Sequence, residues 1–342
     1  MSRRALTLLL SGILALALTL AAAFTTVPYV SLGPGPAYDT LGAVDGTLVI
    51  SVTGAKTYPT TGRLDLTTVG VRDGITLFEA VKGWLSPREE VVPREVLFPP
   101  DQSAKQVDQM NVQQMRQSQD AATTAALHQL GLPITTEVVV GSVAPGAPAM
   151  GKLTAGDVIS SVDGKPVGSA QSLRQGISAH KAGEQVVVDY TRRGRTGSAT
   201  ITTMASPDKP PRSVIGISPQ EQSSSPVKVT ISLRDVGGPS AGLMFALGII
   251  DKLGAESLTG GRNIAGTGEI TAAGKVGPIG GIAEKLLGAR AVGATVFLVP
   301  VDNCADAKAN RPRGLELVKV ATLQQALAGL ALLRQGGTPA PC

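Results

Sequence analysis

The sequence predicts a mixed α+β protein, with an apolar N-terminal helix ahead of two folded parts, one rich in short strands and one alternating strands with helices. Three observations carry this reading. The 342 residues exceed what one core of about 150 residues takes up. A hydrophobic fraction of 43% supplies material for buried cores. Hydrophobic patterning changes along the chain, from an uninterrupted apolar run, through period-two stretches, to strand and helix patterns in alternation.

The first element is the uncharged stretch Ala5–Val27, which follows Arg3-Arg4. At about 1.5 Å per residue it is long enough to cross a hydrocarbon core of roughly 30 Å. No Lys or Arg then appears before Lys56. The positive-inside rule therefore predicts a single-pass protein of the cytoplasmic membrane, N-terminus cytoplasmic and bulk extracytoplasmic, with membrane lipid around the helix. Ala21-Ala22-Ala23 also fits a signal-peptide cleavage site, but apolar character continues to Val27 and favours a retained anchor over residues 1–30.

Residues 31–130 form an N-terminal α/β region. A Gly/Pro-punctuated stretch, GPGPAYDTLG, precedes the β-type run Thr47–Val52 and a helix over Ile75–Leu85 that Ser86-Pro87 ends. Residues 101–130 hold neither Gly nor Pro and predict one or two Gln-rich helices. No catalytic constellation stands out here.

Between residues 131 and 205 the pattern is strand (Glu137–Val143), turn with a brief helix, strand turning at Asp163-Gly164, helix around Leu173 and Ile177, then two strands joined by a basic glycine turn. Gly141–Val167, GSVAPGAPAMGKLTAGDVISSVDGKPV, resembles the PDZ domains attached to bacterial proteases. The resemblance implies capture of an extended peptide by strand addition. It places a peptide-binding loop near Gly131–Thr135, with no ligand residue assigned. Arg192, Arg193 and Arg195 read as a solvated turn. Residues 206–226, rich in Pro and Ser, read as a linker.

From residue 227 to 335 the chemistry concentrates. Val227–Leu233 alternates as a strand with Val227, Val229, Ile231 and Leu233 on one face. It runs through two glycines into a helix expected over Pro239–Leu253, which puts Ser240 at a strand-to-helix junction, near free backbone N–H groups and the positive end of a helix dipole. A helix-capping serine is the competing use of that position. Strands around the turn at Ala272–Gly274 lead to a helix over Gly281–Val292. Lys285 there has Gly281, Ile282, Gly288 and Ala289 at helical spacing and no carboxylate among them. Such a desolvated amine favours its neutral form and can take a proton from a serine hydroxyl.

VGGPSAG (Val236–Gly242), TGEI (Thr267–Ile270) and GPIGGIAEK (Gly277–Lys285) together resemble the proteolytic domain of Lon proteases, in order and spacing. That family uses a Ser–Lys dyad. The resemblance puts the serine on Ser240, the lysine on Lys285 rather than Lys275, and a supporting threonine on Thr267; backbone N–H groups around Gly238 to Ser240, that of Gly238 among them, are the expected oxyanion donors. With the anchor and the PDZ-like part, the chain resembles membrane-anchored Lon-like serine proteases of bacteria. Residues 31–130 are then expected to help complete the protease fold, and residues 336–342 to form a flexible tail.

Several function classes are excluded. A net charge of +5 and 3% aromatics argue against nucleic-acid binding. Two histidines and two cysteines supply no metal site, and no GxxxxGK[ST] loop occurs, the nearest approach being Gly274–Val276. No cofactor and no metal are expected. Whether Cys304 and Cys342 pair stays open at this level. The reading is an ATP-independent serine endopeptidase acting on polypeptides that a PDZ domain selects, with self-association expected. The alternative is a catalytically silent membrane-bound PDZ scaffold.

Overall fold

The computed structural model describes residues 3–86, 88–233 and 236–342. Pro87, expected with Ser86 to end a helix, lies outside the described residues, as do Arg234 and Asp235 ahead of Ser240. Among the described residues the helices are α1 (Arg3–Phe24), α2 (Leu77–Trp84), α3 (Ala104–Gln129), α4 (Ala170–Ser178), α5 (Gly242–Leu253), α6 (Ile282–Ala291), α7 (Cys304–Ala309) and α8 (Leu323–Arg334). The fold is α+β, with an apolar first helix whose Leu6–Phe24 window has nothing buried. The chain divides into two compact units, Met1–Leu132 with Val227–Cys342, and Pro133–Pro226.

The first unit is built on a six-stranded mixed sheet in the order Glu316–Val320, Val296–Pro300, Asn263–Gly266, Arg63–Arg72, Tyr29–Asp39, Glu90–Pro93. Asn263–Gly266 runs parallel to both Val296–Pro300 and Arg63–Arg72, and the latter is antiparallel to Tyr29–Asp39. N- and C-terminal stretches therefore share one sheet, and the hydrogen bonds between them supply the order that neither stretch makes alone. Both faces are covered, as the alternation of side chains requires. Leu64, Leu66, Ile264, Val296 and Leu298 join one cluster with α5, α8 and the small-residue stripe Ala122, Ala125 and Ala126 of α3. Ala265, Phe297, Val299 and Leu317 point the other way, onto Ile282, Leu286 and Ala289 of α6 and Ala307 of α7.

The N-terminal region thus contributes three adjacent strands on one side of Asn263–Gly266, the first of them, Arg63–Arg72, extending the parallel part of the sheet. Residues 101–130 hold one helix, α3, capped by Ser103, which makes a capping box with Gln106. The end of the chain is held rather than loose. Cys304 and Cys342 form a disulfide with Cα atoms 5.2 Å apart, Lys319 N–H donates to the Ala340 carbonyl, and Pro339 is buried. The Gly, Thr and Pro composition that suggested a tail is compatible with strand-edge docking, so composition alone misled here.

The second unit is a sheet in the order Arg195–Thr202, Gln185–Arg192, Val158–Val162, Thr135–Val143, Ile217–Ser224, with α4 beside it. Residues 206–226 are not a free linker: Ile217–Ser224 pairs antiparallel with Thr135–Val143 along its whole length. Its Pro219 falls at a register shift, which is how a strand holds a proline, and its serines face solvent on an edge. Arg193 and Gly194 take positive φ at the hairpin tip. Arg192, read as part of a solvated turn, instead donates two hydrogen bonds to the buried Asp157 carboxylate, each 2.7 Å.

Candidate active site

The loop entering α5 and the first turn of α6 meet at the C-terminal end of strand Asn263–Gly266, where open α/β sheets characteristically hold their sites. Thr267 is the first residue past that strand and is 1% exposed. Its hydroxyl donates to the Ser240 carbonyl at 3.0 Å, and Gly268 N–H donates to the same oxygen at 2.8 Å. Two donors on one carbonyl pin the Ser240 peptide to the strand end. The loop bearing Ser240 then enters α5, which begins at Gly242 rather than Pro239, with Ala241 at the N-cap position. A side chain at Gly242 would stand 2.7 Å from Ile270 and 2.8 Å from the Ser118 hydroxyl, so α3 and α5 close on the loop only because this residue is glycine.

Lys285 arrives from the opposite face of the sheet. α6 starts from Gly281 in a left-handed conformation (φ 65°), where a Cβ would collide with Val69, and one turn on Lys285 is 3% exposed. Its Nζ donates to Thr267 Oγ1 at 3.3 Å. Thr267 therefore bridges Lys285 and Ser240. Burial lowers the amine from its ordinary 10.5 to about 8, while the charges of Glu269 and Glu284 partly hold it up. Glu284 is itself buried, which raises its carboxyl, and its Oε2 has no hydrogen-bond partner among the described residues.

The Ser240 hydroxyl is half-buried, and among the described residues it makes no hydrogen bond to Lys285 or to any other group. Gly238 departs from its expected role. Its N–H donates to the Asn111 carbonyl of α3 at 3.0 Å, so in this arrangement it is not aimed at a substrate oxygen. Ser118 of α3 donates to the Pro239 carbonyl at 2.8 Å, and α3 thereby holds the serine loop at two successive residues, Gly238 and Pro239. The N–H of Ser240 has no acceptor among the described residues. Lys275 is exposed on the hairpin formed by Glu269–Ile270 and Val276–Gly277, away from this cluster.

Asn111, Ser118, Glu269 and Glu284 were not singled out as site residues from sequence. Glu269 lies inside TGEI and Glu284 directly precedes Lys285, so both stood within quoted motifs. For α3 the available signal was the 3–4 spacing of Met115, Ser118 and Ala122, a small polar residue on a buried stripe. No cluster of metal-ligating side chains occurs among the described residues.

In the second unit an apolar groove of about 270 Å³ runs between Leu173, Arg174 and Ile177 of α4 and Val214, Ile215 and Ile217. The expected peptide-binding loop at Gly131–Thr135 is not there. Gly131 (φ 64°) ends α3, its N–H donating to the His128 carbonyl, and the following residues lead into strand Thr135–Val143.

Residues 222–332 match the Lon protease (S16) C-terminal proteolytic domain, and residues 105–203 match the PDZ domain. Lon protease 1 of Sorangium cellulosum (strain So ce56) is 43% identical over 107 residues, 30% of this chain and 13% of that protein. The Lon protease of Azospirillum brasilense is 41% identical over 101 residues, 29% of this chain and 12% of that protein. The chain thus spans about one eighth of the length of these curated relatives. Among solved structures, the PDZ domain of an SdrC-like protein from Listeria monocytogenes is 34% identical and covers 24% of this chain and 85% of that one, with a TM-score of 0.23.

Proposed function

With a Lon protease (S16) C-terminal proteolytic domain at residues 222–332 and a PDZ domain match ahead of it, we propose that the protein is a serine endopeptidase that cleaves polypeptides through a Ser240–Lys285 dyad. The observation that carries this is the buried Lys285 amine, lowered to about 8 and hydrogen-bonded to the threonine that holds the Ser240 peptide. Neutral Lys285 takes the proton of the Ser240 hydroxyl as Oγ attacks the scissile carbonyl. The C–N bond of the tetrahedral intermediate then breaks, the amine leaves with that proton, and water releases the acyl-enzyme by the same route in reverse. Thr267 orients the amine. The Ser240 N–H at the start of α5 is the available oxyanion donor, and Gly238 N–H joins it when the loop leaves Asn111. Before attack the Ser240 side chain turns toward Lys285, a tightening that apo hydrolase sites commonly need.

Hydrolysis of an ester-like acyl-enzyme draws on no nucleotide, and the reaction is ATP-independent in this reading. The α4 groove takes an extended segment of the substrate, docked by backbone pairing along the Ile217–Ser224 edge. α1 tethers the chain in the cytoplasmic membrane as a single span, N-terminus cytoplasmic and bulk outside, and the protein self-associates. The test is incubation of the full chain with a loosely folded protein in the absence of nucleotide. Fragments should appear with the wild type and vanish with Ser240→Ala and with Lys285→Ala; near-normal turnover by either variant rejects the dyad.

The second reading, a catalytically silent PDZ scaffold at the membrane, draws support from the unpartnered Ser240 hydroxyl and the Gly238 N–H directed at Asn111. It predicts peptide capture without fragments from any variant.

A further inference from the structure

α2 is built inside out. A surface helix ordinarily turns its large apolar side chains to the core and its polar ones to water. α2 instead buries Ala80 and Gly83, and Gly83 lies so near Val91 that any side chain there would collide with it. Leu77, Phe78, Val81, Trp84 and Leu85, spaced to share one helical face, all stand exposed, Trp84 by 54% and Leu85 by 82%. A contiguous apolar face of this kind on a capped, ordered helix marks an interaction surface.

What covers it is indicated by its continuity with α1. The Leu77 N–H donates to the Thr25 carbonyl at 2.9 Å, and the Val27 N–H to the Ile75 carbonyl at 3.0 Å, so α2 begins where α1 ends. Phe24, the last residue of α1, is 80% exposed beside it. Tyr29 meets Trp84 edge-on, with ring centroids 5.5 Å apart. Phe24, Tyr29, Phe78 and Trp84 thus gather four of the ten aromatic residues of the chain at the exit of one apolar helix, the composition of a lipid–water boundary. Lys82 and Arg88 are exposed and form no ion pair among the described residues, in contrast to Arg72 and Arg94, which pair with Glu89 and Asp73. Two unpaired cations flanking an apolar face complement lipid phosphates.

The geometry points to α2 lying in the outer lipid–water boundary of the bilayer, with Leu77, Phe78, Val81, Trp84 and Leu85 among the upper acyl chains and Lys82 and Arg88 at the phosphates. This rests on α1 being the membrane anchor. It adds a second, lateral attachment that fixes how the first unit meets the membrane, because a single helical anchor leaves rotation and tilt free.

Trp84 is the sole tryptophan of the chain and reports its own depth. The full-length protein is reconstituted into vesicles of phosphatidylcholine and phosphatidylglycerol, with acyl chains brominated near the carbonyl end or near the methyl end, and floated on a density gradient. A face buried roughly 5–10 Å predicts loss of about half of the Trp84 emission with the shallow bromines and much less with the deep ones. Phe78→Ser with Leu85→Ser should still float while cutting that quenching about twofold or more. A chain that floats with Trp84 unquenched leaves the α1 anchor standing and overturns the α2 placement. A chain that fails to float overturns both. Equal shielding of Trp84 from acrylamide in detergent without lipid assigns the face to a second copy or another protein surface, and also overturns it.

Discussion

Raising the pH from about 7 to about 9 should increase kcat/KM roughly tenfold and then bring it to a plateau, because the proposed reaction uses the neutral amine of Lys285. Burial lowers that amine from 10.5 to about 8. The neutral fraction is then about one tenth at pH 7, half at pH 8 and nine tenths at pH 9. The same shift corresponds to about 3 kcal/mol by which the folded protein disfavours the ammonium. Since the folded value lies below the unfolded one, this cost is fully present below pH 8 and is relieved as pH rises from about 8 to 10.5, where the unfolded chain binds more protons. Lys285→Met should therefore stabilise the protein near neutral pH by up to about 3 kcal/mol and gain little at high pH, while abolishing cleavage. The assay is initial-rate cleavage of a fluorogenic, loosely folded protein across this range, paired with urea unfolding of both variants. Glu269→Gln and Glu284→Gln remove charges that favour the ammonium, and each should move the acid limb to lower pH. A lysine left at its ordinary value would give a rate still climbing tenfold per unit beyond pH 9; that outcome, or a flat profile, would refute the reasoning.

Three further outcomes follow from named contacts. Thr267→Val removes the hydroxyl that accepts from Lys285 and donates to Ser240, and should cost about 1–3 kcal/mol in urea unfolding and most of kcat, with Thr267→Ser restoring both. Cys342→Ser opens a disulfide with a sequence separation of 38 residues and should lower stability by about 4 kcal/mol on the loop-entropy scale, seen as a lower melting temperature that reductant reproduces in the wild type. Arg192→Leu strands the buried Asp157 carboxylate, whose value Arg192 holds below the ordinary range. This should lower stability at neutral pH, read by urea unfolding, and the difference should fade in acid as Asp157 is protonated in both proteins.

Local chemistry was legible in the sequence where one short segment carried both the pattern and its cause. The charge-free run after Arg3-Arg4, the alternation of Val227–Leu233 and the glycines around Ser240 and Lys285 each state their own geometry. Lys285 shows why: a lysine with glycine, isoleucine and alanine at helical spacing has no local partner, and in the fold its partner is Thr267, 18 residues away. Arrangements that depend on distant strands were harder to read. Nothing within Arg63–Arg72 says that it lies beside Asn263–Gly266, and nothing within α3 says that Asn111 and Ser118 hold the loop before α5. Composition misled at Ile217–Ser224, where an edge strand tolerates the proline and serines typical of linkers, and at the C-terminal residues, where a disulfide and sheet-edge hydrogen bonds order a stretch with no regular pattern. α2 stood out least, since its helical pattern is ordinary and only the fold reveals that its large apolar side chains face outward.

The most direct measurement is mass-spectrometric mapping of the full chain after reaction with a fluorophosphonate that labels activated serines, at about pH 9, where the amine is mostly neutral. The account predicts a single adduct on Ser240, lost in Lys285→Ala and regained only when the lysine is. Labelling of a different serine, or undiminished labelling of Ser240 without Lys285, would contradict it.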